Sequence, residues 1–500
     1  MKITNILIAN RGEIAVRIIK TARKMGIETT VIKTAAEPSA MYLGKANHIY
    51  DDTENKSEIP VFLDIDKLIR IASEMKVDAV HPGYGFLAEN AYFAQKCEDN
   101  GLVFIGPSPD AIYKMGNKTI ARKIAQVNEV PMATGSEGEV RNEEDARRVA
   151  RRIGYPVIIK AASGGGGRGM RVVHKEEDIE KNFRLASNEA EKAFSDPSVF
   201  IEKYIENPKH IEFQILGDKF GNIIHMGERE CSVQRKHQKL LEEAPSPALS
   251  EETRKRMGEI AVTMASSVNY FSAGTVEFLF SSNNEFYFME MNTRIQVEHP
   301  VTEMITGIDL IEQQIRIANG EKLAFKQKDI KLEGWAIECR INAEDVQSGF
   351  SPAPGKIEYL ILPEGNNIRI DSGVQAGSVI AANFDSMIAK LIVYGKDRKE
   401  VIANCKQALD RVWIKGTKTT LPFFRMLVRN QAFIKGSITT SFIENEIGEY
   451  YEYREYEETI AAWLATRLFA EENLDESNLK LDFEQTKNIS PWLLNKRIGR

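Results

Sequence analysis

Ala273-Gly-Thr-Val-Glu277-Phe-Leu-Phe280, Ser281-Ser-Asn-Asn284 and Glu285-Phe-Tyr-Phe-Met-Glu290 read as two apolar strands around a polar turn, a β-hairpin. With an even-length turn, Glu277 faces Phe288 and Glu290 is its diagonal neighbour on the same face, about 7–8 Å away at the backbone. Two unpaired carboxylates so placed repel, and a divalent cation is the natural resolution; an odd-length turn puts them on opposite faces. Beyond the hairpin the even positions read Glu290, Asn292, Arg294, Gln296 and Glu298, and the odd ones Met291, Thr293, Ile295, Val297 and His299. If this stretch is extended, one face carries every charged group, a pattern that a solvated strand face shares. Carboxylate and amide oxygens suit Mg2+, Arg294 can grip a planar anion bidentately and Glu298 can serve as a base. These are the parts for phosphoryl transfer to a carboxylate-like substrate.

Upstream, the strands Tyr155-Pro-Val-Ile-Ile-Lys160 and Met170-Arg-Val-Val173 flank Ser163-Gly-Gly-Gly-Gly-Arg-Gly169. So many glycines give a backbone able to fold closely over an anion, its N–H groups unhindered, with Lys160 as a fixed positive charge. The loop joins two strands and lacks the GxxxxGK[ST] pattern, so a flexible linker is the competing reading. Phe200-Ile-Glu-Lys-Tyr-Ile205 has the look of an edge or linker segment whose backbone could read adenine. His210, Gln234, His237 and Lys239 belong to a polar stretch before Glu242-Glu-Ala-Pro245.

The chain opens with strand, turn, helix and strand: Asn5-Ile-Leu-Ile-Ala9, Asn10-Arg-Gly-Glu13, Ile14 to Met25, then Ile27-Glu-Thr-Thr-Val-Ile32. A lone Gly12 is not a dinucleotide fingerprint, so this is a doubly wound α/β scaffold. Val77-Asp-Ala-Val80 ends in His81-Pro-Gly-Tyr-Gly-Phe-Leu-Ala-Glu89, and ligands sit at such strand ends, which makes Tyr84 a site candidate. Val130-Pro131 marks the start of a new module. From Trp335 to Glu444 strands alternate with turns rich in Gly, Pro and Asn.

Five hundred residues, 43% hydrophobic and 28% charged, describe a globular chain of about three domains. The apolar runs are short and the N-terminus lacks a signal-peptide core, so the expectation is a cytoplasmic protein with no membrane segment. Four widely spaced cysteines without CxxC argue against a disulfide framework or a cysteine zinc site. The charge of −6 argues against nonspecific nucleic-acid binding. Nearly all of that excess lies in residues 445–500, with twelve acidic and seven basic side chains. There Ile460, Trp463, Leu464 and Leu468 share a helical face, suggesting an appended helical arm that docks on a partner or caps the body.

The ordered motifs resemble the biotin carboxylase family of the ATP-grasp superfamily: Ile8-Ala-Asn-Arg-Gly-Glu-Ile-Ala15, His81 to Asn90, Gly164 to Met170, Cys231-Ser-Val-Gln-Arg-Lys-His-Gln-Lys239, Glu290 to Pro300, Glu338-Cys-Arg-Ile-Asn-Ala-Glu-Asp345 and Phe384-Asp-Ser-Met-Ile-Ala-Lys390. The resemblance covers residues 1 to about 445. It implies an α/β fold with a doubly wound N-terminal domain (1–115), an ATP-grasp domain (116–334) with a glycine-loop lid at about 132–204, a mixed α+β C-terminal domain (335–444) and an acidic helical extension (445–500).

The resemblance also implies ATP-dependent carboxylation of biotin by bicarbonate through carboxyphosphate. Lys118, Lys160, Gly165, Gly166, Gly167, Met170, Glu202, Lys203, Ile205, His210, Gln234 and His237 would hold ATP, with Lys239 beside it among the catalytic groups. Glu277, Glu290 and Asn292 would gather two Mg2+ or Mn2+ ions. Arg294, Gln296 and the Val297 backbone would cradle bicarbonate while Glu298 removes its proton, and Arg340, with Tyr84, would serve biotin and its enolate. Biotin would arrive on a separate carrier protein and a carboxyltransferase subunit would take the carboxyl group onward; a homodimer or higher assembly is expected, with no nucleic acid involved. Another ATP-grasp ligase would share the metal hairpin but not the row Arg294 to Glu298 together with Arg340. A nucleotide-sensing scaffold would have no need of Glu298.

Overall fold

The computed structural model describes residues 2–55, 57, 59–162, 170–194 and 196–445, together with Trp463 and Thr466. Gly165, Gly166 and Gly167, the rest of the glycine loop and nearly all of the acidic arm lie outside the described residues. Residues 1–444 form one compact unit and residues 445–500 a second.

Five parallel strands build the N-terminal layer, in the order His48–Asp52, Glu28–Thr34, Asn5–Ile8, Ala79–His81, Val103–Phe104. Alternation explains its two cores: Ile6 and Ile8 enter one cluster with the helix Gly12–Lys24, while Leu7 and Ala9 enter the other. The strand order reverses beside Asn5–Ile8, so the ends of that strand and of Ala79–His81 form the switch point. Asn10 ties them, donating through Nδ2 to the carbonyls of Pro82 at 2.7 Å and Tyr84 at 2.8 Å. Gly83 is required there: its φ is +63° and a Cβ would lie 2.8 Å from Asn10 Nδ2.

A small body follows. Val157–Ala161 runs between Arg171–Val173 and Val199–Lys203, all antiparallel, and the helices Glu143–Ile153 and Ile179–Phe194 pack on it through Ala146, Ala150, Phe183 and Ala186. Val199–Lys203 is the outer strand of this sheet, but its outer side is covered: Gly135 and Val140 bridge to Glu202 and Val199, and Ser136 N–H donates to the Ile201 carbonyl at 2.8 Å, so the open edge read into Phe200–Ile205 is largely closed.

The main layer is an eight-stranded antiparallel sheet, ordered Phe286–Asn292, Ser272–Phe280, Lys209–Gly217, Ile223–Arg235, Gln238–Ala244, Trp335–Asn342, Met387–Gly395, Ile368–Ser372. It runs without a break past residue 335, so strands of the third segment extend the sheet begun by the second. That segment also holds helices that the strand-and-turn reading passed over, notably Arg398–Asp410, whose Val401, Ile402, Cys405, Ala408 and Leu409 are buried at helical spacing.

The hairpin differs from expectation in an instructive way. Ser281 N–H donates to the Glu285 carbonyl at 2.8 Å, closing a three-residue turn with Asn284 at φ 60°, so the turn is odd-length. In regular register Glu277 would face Met289, and the two glutamates would point to opposite faces. A register shift lies between Glu277 and Phe278: Phe278 pairs with Phe288 but Glu277 pairs with Glu290, leaving Met289 as an extra, exposed residue. This β-bulge brings Glu290 directly opposite Glu277, closer than the diagonal placement expected. The strand then ends at Asn292, so the polar row is not extended to Glu298; a turn leads into the helix His299–Thr306.

Candidate active site

A cleft of about 1110 Å3 opens between these layers. It gathers Lys118, Lys160, Met170, Glu202, Lys203, Ile205, His210, Gln234, His237, Lys239, Glu277, Glu290, Asn292, Arg294, Gln296, Val297, Glu298 and Arg340. Every proposed site residue within the described segments is therefore brought together, with the exception of Tyr84. Tyr84 lies behind the cleft, where its hydroxyl donates to Glu13. Loss of water, then the charge of Glu13, lifts its phenol far above the usual range, so it is a neutral support.

Lys239 is the hub of the floor. Its Nζ donates to Glu277 at 2.9 Å, to Glu298 at 2.7 Å and to Glu212. Burial lowers an ammonium's pKa, but three carboxylates overcome it and hold Lys239 well above its ordinary value. Glu277 also accepts from His210 Nε2 at 2.8 Å, Asn292 Nδ2 at 2.9 Å and Gln296 Nε2 at 2.7 Å. Among the described residues, His210, Glu212 and Glu277, and likewise Glu212, Cys231 and Glu298, bring potential ligand atoms within 4.8 Å of one another. Lys239 already binds Glu212, Glu277 and Glu298, and burial raises the Cys231 thiol far above its ordinary pKa.

Glu298 receives Lys239 through one oxygen and Arg340 Nη2 at 2.9 Å through the other. Burial pushes its pKa up, yet Lys239, Arg340 and Arg229 hold it well below the carboxylate range. Arg340 also meets Glu242 at 2.5 Å, while its buried Nε has no hydrogen-bond partner. Arg294 is aimed by Glu89, which takes its Nε at 3.0 Å and the Thr293 N–H at 3.0 Å.

The hairpin supplies oxygen donors that fit a hard cation. Glu290 opens to the cleft opposite Glu277, and its pKa is raised, by the surrounding protein walls and then by the charge of Glu277. Lys118 and Lys239 offset this only in part, and carboxylate charge gathered on one hairpin is what a divalent ion would neutralise.

Nearer the small body, Lys160 Nζ pairs with Glu202 at 2.6 Å, and Arg122 binds the other Glu202 oxygen. Lys203 donates its Nζ to the carbonyls of Gly154 and Tyr155 at 3.0 and 2.9 Å, which turns the ammonium to the small body, and its backbone N–H donates to the Thr134 carbonyl at 2.7 Å. His237 stands in a two-residue turn with Lys236, both at positive φ.

Sequence reasoning missed four contributors. Arg229, fully buried, donates to Glu212, Gln214, Thr275, Thr302 and Gln296. Glu89 closes the stretch that begins at His81, where spacing alone gives it no role. Glu242 and Glu338 face each other across neighbouring strands. Three charges in a row at Glu228, Arg229 and Glu230 inside a strand were the available sign, since at least one must point into the protein.

Family models match the chain in three consecutive parts: biotin carboxylase, N-terminal domain (residues 2–112); carbamoyl-phosphate synthase L chain, ATP binding domain (117–326); and biotin carboxylase C-terminal domain (338–445). The chain is similar to biotin carboxylase 1 of Bacillus subtilis, 50% identical over 443 residues, covering 88% of this chain and 98% of the relative. It is 45% identical over 458 residues to the 2-oxoglutarate carboxylase small subunit of Hydrogenobacter thermophilus, covering 91% of this chain and 97% of the relative. A crystal structure of the biotin carboxylase domain dimer of Hydrogenobacter thermophilus 2-oxoglutarate carboxylase, in complex with MgADP, ADP and bicarbonate, superposes with a TM-score of 0.86 at 45% identity, covering 89% of this chain and 98% of that one.

Proposed function

The chain belongs to the biotin carboxylase family, and from that premise we propose how its residues divide the work. It is an enzyme that carboxylates biotin with bicarbonate at the expense of ATP, working in a carboxylase assembled with other subunits. Our reading of the roles rests above all on Glu298, ionised between Lys239 and Arg340 and adjoining the row Arg294, Gln296 and Val297.

Lys118, Lys160, Glu202, His210, Gln234 and His237, together with the backbone of Lys203 and Ile205, would embrace the nucleotide, and Met170 with Gly165, Gly166 and Gly167 would cover it. Glu277, Glu290 and Asn292 would hold Mg2+ or Mn2+, which supplies charge neutralisation at the phosphates. Arg294, Gln296 and the Val297 N–H would hold bicarbonate against Glu298. The two cations on Glu298 make it a weak base until an anion arrives. Bicarbonate beside Arg294 and Arg340 would draw on the same donors and so raise the proton affinity of Glu298 when the proton must leave. Arg340, whose guanidinium lines the cleft, would then steady the negative oxygen of the biotin enolate.

In domain terms we assign residues 1–115 to scaffold, 116–334 to the ATP-grasp part with a nucleotide-covering body at about 132–204, 335–444 to closure of the sheet, and 445–500 to an extension. Biotin would come on a carrier protein, a carboxyltransferase subunit would accept the carboxyl group and choose its final acceptor, and the chain would act as a homodimer or larger assembly. Among the described residues no helix is long and apolar enough to cross a membrane. The four buried thiols fit a reducing, cytoplasmic setting.

The test is Glu298→Gln. It should keep ATP binding and lower bicarbonate-dependent ATP cleavage by about a hundredfold or more, since the amide keeps the shape but cannot take the proton. Wild-type cleavage in that variant would remove Glu298 from the role of base.

A further inference from the structure

Val297 lines the cleft, but the two groups that fix its backbone stand behind it. The peptide unit that carries the Val297 N–H ends in the Gln296 carbonyl, and this oxygen accepts from His299 Nδ1 at 2.8 Å and from the His299 N–H at 3.3 Å. The next peptide unit ends in the Val297 carbonyl, which accepts from Lys390 Nζ at 2.8 Å. Both side chains are completely buried, and neither borders the cleft. Lys390 is anchored in turn by Glu13 at 3.1 Å and stands opposite Arg340 on one neighbouring strand and Asp371 on the other. His299 opens the helix His299–Thr306. Burial, then the charges of Lys390, Arg17 and Arg369, keep its ring neutral, so the proton given to Gln296 resides on Nδ1.

A backbone N–H is aimed only as well as its peptide plane is held. This one lies in a turn, outside any sheet ladder that would hold it. Anchoring the carbonyl of its own unit stops rotation of that plane, and anchoring the following carbonyl stops the compensating crankshaft motion. We propose that His299 and Lys390 are positioning residues for the anion: they pin the peptide units on either side of Val297 and so hold its N–H toward bicarbonate. The inference rests on the reading of Val297 as a bicarbonate donor.

The test uses the full chain with His299→Leu, His299→Gln and Lys390→Met, measuring KM for bicarbonate, KM for ATP and kcat of bicarbonate-dependent ATP cleavage. The leucine and methionine variants should raise the bicarbonate KM by about tenfold or more with the ATP KM within about twofold. His299→Gln, whose amide can still donate to Gln296, should stay near wild type. Equal rises in both KM values, or an unchanged bicarbonate KM, would overturn the proposal. If Lys390→Met fails to fold, the two His299 variants decide: the same bicarbonate KM in both overturns it. A wild-type chain that cleaves ATP without regard to bicarbonate would sink the proposed function itself, whereas a normal wild-type response with insensitive variants sinks only the clamp.

Discussion

Within the large sheet, Lys239 and Arg229 are 11% and 0% exposed and meet carboxylates that are almost sealed, Glu298 at 2% and Glu212 at 0%. Within the small body, Arg151 and Arg184 are 62% and 63% exposed and meet Glu176 and Glu143 in open solvent. The same two kinds of ion are used at opposite ends of the dielectric range. Buried, an ion pair costs several kcal/mol per ion in lost hydration, so it persists only with complete partners and therefore holds one geometry. Exposed, it is screened and replaceable. The chemistry stands on the first kind, while the second decorates a body whose own core is apolar packing around Val157, Ile159, Phe183 and Ile201.

Lys239→Met attacks that contrast hardest. It leaves Glu212, Glu277 and Glu298 facing one another with their shared ammonium gone, so the loss should be about 3–5 kcal/mol, read as a fall in the urea midpoint of the unit. A variant as stable as the parent would mean the floor's charges are not structural.

Next in size, Arg340→Ala should slow biotin carboxylation about a hundredfold while bicarbonate-dependent ATP cleavage falls less, because the guanidinium is assigned to the enolate. Equal loss in both assays breaks that division, and with it the idea that each floor cation has its own step.

The floor was only partly legible in sequence. The motif residues could be named because spacing and residue type carry them: Glu277, Glu290 and Asn292 share one hairpin, and Arg294 to Glu298 one row. What escaped depended on register and burial. The turn looked even, yet it is odd, and Met289 bulges out to restore the pairing of Glu277 with Glu290. No local preference announces that bulge, because Met289 reads as an ordinary apolar strand residue. Arg229 reaches side chains more than forty residues away in Thr275, Gln296 and Thr302, and no pattern within one strand encodes such distances.

Two buried histidines give a smaller and pH-dependent view of the same contrast. His210 has Glu277 as a partner and its pKa is raised despite burial, whereas burial, and then the charge of Arg17, lowers His81 to about 3. His81 Nδ1 accepts the Gly83 N–H at 3.1 Å, which requires a neutral ring. The unfolded chain, with an ordinary histidine pKa, binds that proton first, so stability is full above about pH 6.5 and drains as pH falls toward 3. At pH 5 the loss from His81 should be about 2 kcal/mol. His81→Gln should flatten part of the acid slope in urea midpoints taken from pH 8 to pH 5; an unchanged slope would show that His81 does not report burial.

Least of all should follow from Arg184→Gln. The Arg184 guanidinium grips both oxygens of Glu143, with Nη2 at 2.9 Å from Oε2, which is the best geometry a surface pair can have. Its first effect is to lower the Glu143 pKa by hydrogen bonding. Glu143, however, lies in the first turn of the helix Glu143–Ile153, beside Glu144 and Asp145, where the helix dipole favours an anion without help. Water and salt replace what the arginine gave, and the side chains regain rotamer freedom when released. The expected result is no resolvable change in melting midpoint, with the same answer from about 0.05 to 0.5 M salt. Since the pair joins the two helices that cover the small sheet, a real loss would surface as earlier melting of this body and faster amide exchange in Val157–Ala161. A loss rivalling that of Lys239→Met would mean the small body, too, is held by its charges, and the distinction between sealed floor and solvated cover would fail where it should be easiest to see.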